Sequence, residues 1–192
     1  MLIAAILVAV ALLVFIFIFK IGRRVNNDPR PPISEMVAPA EETNASMPKR
    51  LKIPIIAVDA AILSVGLASD GSMDTPREAA EVAWFNLGEK PGDLGSAVIT
   101  GHYGTWKNGN SSVFDNLHKL KKGDRIYIED DKGVTVSFVV RESRSYDPTA
   151  DATDVFSSDD ERSYLNLITC EGIWSEDAKS FSKRLVVFTD KE

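Results

Sequence analysis

The hydrophobic pattern divides the chain into three unlike stretches. Residues 2–19 form an unbroken apolar run without a charged or polar side chain. At roughly 1.5 Å per residue it would span about 27 Å as a helix, close to the thickness of a bilayer core. Residues 26–48 contain no aromatic residue and hold Pro29, Pro31, Pro32, Pro39 and Pro48. Such a segment buries little apolar surface, and its prolines favour extended backbone. From residue 49 onward short apolar runs alternate with turn residues. Residues 51–58, 61–67, 97–100, 125–129, 134–141, 165–170 and 185–189 read as strands, with a hairpin turn at 130–133. Residues 76–85 read as a short helix with Pro76 at its start. Val113, Phe114, Leu117 and Leu120 have helical spacing, ended by Lys121-Lys122-Gly123-Asp124. Seven to eight short strands with few short helices predict a mainly β chain closed into a barrel.

The expected organisation is therefore a membrane anchor at 1–25, an extended stalk at 26–48 and one globular domain at 49–192. Lys20, Arg23 and Arg24 follow the apolar run, and no small-residue cleavage site lies close behind it. This favours an uncleaved transmembrane helix over a signal peptide. The same basic residues predict that the globular part stays on the cytoplasmic side.

Composition narrows the partners. The formal net charge of -6 disfavours nucleic acid, whose phosphates select basic surfaces. A single cysteine, Cys170, forbids an intramolecular disulfide. It is either a small buried hydrophobe or a free reactive thiol. Cys170 ends an apolar run and precedes Glu171-Gly172, which would place its sulfur at a strand rim. His102, between Gly101 and Tyr103-Gly104, sits at another strand end. The second histidine, His118, falls off the apolar face of its segment and is expected in solvent. Arg184 opens the final strand and would offer a permanent cation with a fixed fork of donors.

Three patterns, in this order, resemble the sortase family: Ala97-Val98-Ile99-Thr100-Gly101-His102, then Leu167-Ile168-Thr169-Cys170, then Lys183-Arg184-Leu185-Val186-Val187. Val82-Ala83-Trp84-Phe85 before Pro91-Gly92 is similar to the family as well. So is Val113-Phe114-Asp115-Asn116-Leu117 before Leu120-Lys121-Lys122-Gly123-Asp124. The resemblance, of a class D, E or F kind, runs from about residue 49 to the C-terminus. It implies a sortase-type barrel and a two-step acyl transfer. Cys170 would attack the Thr–Gly carbonyl of an LPXTG-like sorting signal and form a thioacyl enzyme. His102 would move protons, and Arg184 would hold the carbonyl or oxyanion. The acceptor would be an amine on a cell-wall precursor or on a pilin subunit. The enzyme would work outside the cell, against the orientation that the flanking charges predict.

Thr169, Trp174 and Tyr103 are candidate substrate contacts, and the loop bearing Trp106, Gly104 and Gly109 could shape a groove. No cofactor or metal is expected. The acidic loop at 147–161 matches no calcium motif, although some members of the family use such a loop for calcium. Other cysteine acyl-transferases fit less well. Residues 167–170 lack the S-x-G-C context of L,D-transpeptidases, and papain-like enzymes place Cys before His. A membrane-tethered binding module is the non-enzymatic alternative.

Overall fold

The computed structural model describes residues 46–106 and 109–192. The predicted anchor and nearly all of the stalk lie outside the described residues.

Eight strands close into one barrel. They are β1 (Pro48–Ile53), β2 (Val58–Val65), β3 (Val82–Phe85), β4 (Gly95–Gly101), β5 (Arg125–Asp130), β6 (Thr135–Tyr146), β7 (Ser163–Ser175) and β8 (Ser180–Lys191). Around the barrel they follow the order β1-β2-β3-β4-β7-β8-β6-β5, and β5 pairs back onto β1. Two pairings are parallel, β2 with β3 and β4 with β7. Parallel neighbours need long crossovers, here residues 66–81 and, with β5 and β6 intervening, 102–162.

Period-two alternation decides what each strand buries. Ile99, Leu165, Leu167, Leu185 and Val187 point into the barrel, where they pack with Leu51, Ile126, Phe114 and Phe138. Their alternate neighbours Val98, Val186 and Phe188 point outward and form a second apolar cluster with Val155. Val155 belongs to α1 (Thr153–Phe156), a single helical turn between β6 and β7. The middles of β4, β7 and β8 are therefore covered on both faces, which explains their near-continuous apolar runs. Each large side chain fully buried in this way contributes about 1.5–3 kcal/mol.

The sequence reading departs from the structure at three places. Residues 51–58 are not one strand. Pro54 supplies no N–H for the ladder, and a 3-10 turn, Pro54–Ile56, separates β1 from β2. Residues 76–85 are not a helix. The end of the segment is β3, whose Val82, Ala83 and Trp84 are buried between β2 and β4. An apolar run covered on both faces shows no alternation to mark it as a strand. Residues 113–120 form turns and one 3-10 turn, Leu117–Lys119, rather than an α-helix. Their N–H groups are taken elsewhere: Val113 donates to Ala79 O at 2.8 Å and Phe114 to His102 O at 3.0 Å. The apolar positions are still buried as a helix would bury them, with Phe114 and Leu117 at 0% exposure. The barrel also starts slightly before the expected boundary, at Pro48. Met47 just ahead of it packs against the core and donates its N–H to Asp131 Oδ1 at 3.0 Å.

Candidate active site

The outward face of the β7–β8 ribbon carries the site. In register, Cys170 on β7 lies directly opposite Arg184 on β8, with Ile168 opposite Val186 one step along. Directly opposed residues share a face, so Cys170 and Arg184 both point out of the barrel. β4 runs parallel to β7 on its other side, with Thr100 beside Ile168. The residue that follows the end of β4 by one position is His102. Two strand pairings thus bring together residues far apart in sequence.

All three line one groove of about 650 Å³. Its floor is Thr100, Ile168, Cys170, Arg184 and Val186. One wall comes from the β2–β3 connection and β3, including Met73 and Phe85. The other comes from the end of β6 and the β6–β7 connection, including Tyr146 and Phe156. Phe85 and Phe156 meet edge to face across these walls, with centroids 5.7 Å apart. The groove is mainly apolar, and its polar lining residues include Ser72, Thr75 and Asp147 as well as the three candidates Cys170, His102 and Arg184.

Each of those three side chains is held. His102 Nε2 lies 2.7 Å from the carbonyl of Pro76. A carbonyl only accepts, so this contact puts the ring proton on Nε2. The ring also packs against Trp106 at 4.6 Å between centroids. Arg184 donates through Nη1 to the carbonyls of Phe181 and Lys183, and through Nη2 to Ser180 Oγ. Cys170 is half-buried and free of any disulfide. Burial pushes its thiol above the ordinary range, and the Arg184 cation opposes that by favouring thiolate.

The local sequence explains the positions. A Cβ at Gly101 would lie 2.6 Å from the Phe114 ring and 2.8 Å from Val113, so only glycine lets the chain pass under that segment. Beyond Cys170, Gly172 has φ 85° where the pairing of β7 with β8 shifts between Glu171 and Trp174. Such a bulge re-aims the strand beside the site.

The chain matches the Sortase domain over residues 51–192. It belongs to the sortase family. Similar solved structures are sortase C-1 of Actinomyces oris, at 28% identity and a TM-score of 0.59, and sortase A of Corynebacterium diphtheriae, at 25% identity and 0.60. The first match covers 74% of this chain and 72% of that one, the second 76% and 60%. Sortase C1 of Streptococcus agalactiae, in complex with MTSET, is similar at 25% identity and 0.59, covering 75% and 66%. A comparison with curated protein sequences finds no match. This sortase is thus a cysteine transpeptidase, of a family that joins LPXTG-type sorting signals to amine acceptors.

The three expected substrate contacts fall differently in this sortase. Thr169 alternates with Cys170 and is turned away from it. Its side chain is buried and its hydroxyl donates to Gly101 O at 2.8 Å, tying β7 to the end of β4. The residue still borders the groove. Tyr103 and Trp174 both meet Phe181 edge to face, at 5.3 and 5.2 Å, in an aromatic cluster over the β7–β8 hairpin. His118 is exposed, as its position off the apolar face predicts.

The sequence reading missed the groove walls and the Pro76 carbonyl, because neither carries a chemical signature. The acidic loop is largely engaged. Asp147 pairs with Lys183, Asp154 with Arg144 and Tyr146, and Asp160 with Tyr164. Among the described residues, no group of three or more His, Cys, Asp or Glu side chains is placed to hold a metal ion.

Proposed function

We propose that this sortase cleaves an LPXTG-like sorting signal through a thioacyl intermediate on Cys170 and passes the acyl group to a cell-wall amine. One observation carries the reading: Cys170 and Arg184 are cross-strand partners on the floor of a groove that His102 also lines. An extended peptide in that groove would place its apolar residues against the walls and its scissile carbonyl beside Cys170. Cys170 Sγ forms the C–S bond, and the carbonyl electrons move to oxygen. Arg184, freed from its own backbone carbonyls, supplies donors to that oxyanion. His102 protonates the departing amine, since an amide has a poor leaving group, and later takes a proton from the incoming one. The apolar run at 2–19 would tether the enzyme to the membrane, with the catalytic domain on the outer surface.

The decisive experiment treats the protein with a sorting-peptide analogue bearing a thiol-reactive group. Mass spectrometry should find one adduct, on Cys170, and Cys170→Ala should abolish both the adduct and transpeptidation. An unmodified Cys170 rejects the reading. A second reading, pilin polymerisation, is favoured by the likeness to sortases of class C, among them the Group B Streptococcus Pilus Island 1 sortase C2. Competition between a glycine α-amine and a peptide lysine ε-amine separates the two.

A further inference from the structure

Cys170 borders a second cavity. This one holds about 200 Å³ and is lined by Tyr103, Phe114, His118, Cys170, Glu171 and Leu185. It lies on the other face of the ribbon. Leu185 belongs to the barrel interior, whereas Val186 belongs to the outer cluster. Glu171 alternates with Cys170 and so shares the inner face with Thr169 and Leu185. Cys170 therefore borders two spaces, the apolar groove outside and a small pocket of mixed polarity at the barrel mouth.

Glu171 is the distinctive group of that pocket. It is half-buried, and Oε2 accepts from Ser145 Oγ at 2.5 Å. Among the described residues it has no cationic partner. Its cross-strand neighbour Lys183 turns instead to Asp147, at 2.6 Å. A carboxylate held by one hydroxyl beside a nucleophile, with its cross-strand lysine engaged elsewhere, suits an incoming ammonium group. His118 and Tyr103 add further hydrogen-bonding positions on the same walls.

We infer that the barrel-mouth pocket receives the amine acceptor, with Glu171 binding it as a primary ammonium, while the sorting peptide occupies the outer groove. The inference rests on the transpeptidase reading above and deepens it. Because both spaces border Cys170 at the barrel rim, an acceptor at the barrel mouth and an acyl group in the outer groove can meet beside it without displacing each other. In the second half-reaction the acceptor arrives as R–NH3⁺. It gives up one proton through His102 to solvent, and its nitrogen bonds to the thioester carbon. The C–S bond breaks, its electron pair returns to Sγ, and a second proton from nitrogen restores the thiol. Glu171 binds the cation and is not itself consumed.

The test uses the full chain with a sorting peptide and two nucleophiles, triglycine, whose amino terminus is an ammonium at neutral pH, and hydroxylamine, which is uncharged there. Hydrolysis and aminolysis branch from the same thioacyl enzyme, so their product ratio does not depend on the rate of acylation. Glu171→Gln keeps the shape and removes the charge. The aminolysis-to-hydrolysis ratio with triglycine should fall about tenfold, as for loss of a hydrogen bond to a charged group. The ratio with hydroxylamine should stay as in the wild type. No fall with triglycine, or an equal fall with both, overturns the inference. Should the variant not fold, the wild type decides: added sodium chloride should depress the triglycine ratio and spare the hydroxylamine ratio, and a flat response to salt overturns it. Intact-mass detection of the thioacyl enzyme separates the two levels. A thioacyl enzyme with unchanged partition defeats only the acceptor pocket, whereas its absence in the wild type defeats the transpeptidase reading and the pocket together.

Discussion

Cys170 is set between two opposing influences. Burial favours its neutral thiol, and Arg184 across the ladder favours the thiolate, with burial the larger. The sign of a pH experiment follows. The thiolate is the species that alkylates, so the rate of iodoacetamide labelling should rise with pH and reach its midpoint above the ordinary thiol range. Removing the opposing cation in Arg184→Gln should move that midpoint further up, whereas Arg184→Lys should leave it nearly in place. Turnover separates the two roles of the same side chain. Lysine keeps the charge but loses the planar fork, so Arg184→Lys should lower kcat/KM by about 10²-fold in a sorting-peptide assay with the melting temperature unchanged. A lysine variant that turns over like the wild type would take Arg184 out of the oxyanion site. That Cys170, His102 and Arg184 share one groove was legible in the sequence, because each ends or opens an apolar run and their patterns occur in the family's order. Thr169 borders the same groove, but its hydroxyl is engaged within the fold. Alternation turns its hydroxyl away from the Cys170 face, and its partner, the Gly101 carbonyl, comes from a strand 68 positions earlier.

At the scale of elements, the site depends on how the end of β4 is fixed to β7 and to the segment above it. Gly101 allows Phe114 to pack where a side chain would stand, and the N–H of Phe114 donates to the carbonyl of His102. A methyl at position 101 must displace a fully buried ring. Gly101→Ala should therefore destabilise the fold by about 1–3 kcal/mol and shift His102. Chemical denaturation measures the first effect. A fall in kcat beyond the loss of folded protein measures the second. Thr169→Val attacks the same junction from below. It keeps the shape and leaves the Gly101 carbonyl without its hydroxyl donor, at a cost of about 1–3 kcal/mol. The elements themselves were unequally legible. The β5–β6 hairpin carries alternation and a clear turn, and it forms as expected. The segments at 76–85 and 113–120 misled because burial on both faces and i, i+3, i+4 spacing each fit more than one backbone. Long-range partners such as Ala79 O settle which is adopted, and a linear sequence does not display them.

At the scale of the molecule, a closed barrel and the walls of its groove are held by different forces. The barrel has a continuous interior, with strands paired on both sides all the way round. The wall contributed by residues 147–162 is held mostly by surface contacts, among them Asp147–Lys183 and Asp154–Arg144; its buried anchors are Val155 of α1, inserted into the small outer cluster, and the 2.6 Å bond from Asn166 Nδ2 to the Val155 carbonyl. Asn166 is 1% exposed, on β7 and pointing away from the barrel, so this bond joins the wall to the strand that carries Cys170. Cutting it should loosen the wall without opening the barrel, because Asn166 faces the outer cluster and not the interior that closes the barrel. Asn166→Ala should cost about 1–3 kcal/mol of stability through the carbonyl left unpaired. Its signature should be local. Amide hydrogen exchange should quicken through residues 147–162 and stay slow in β1 and β5, where the barrel closes. The same loosening should raise KM for the sorting peptide more than it lowers kcat, since Phe156 and Ala152 of that wall line the groove while Cys170, His102 and Arg184 keep their places. If exchange quickened equally in the wall and at the β1–β5 closure, wall and barrel would be one cooperative unit, and the groove could not be tuned apart from the fold that supports it.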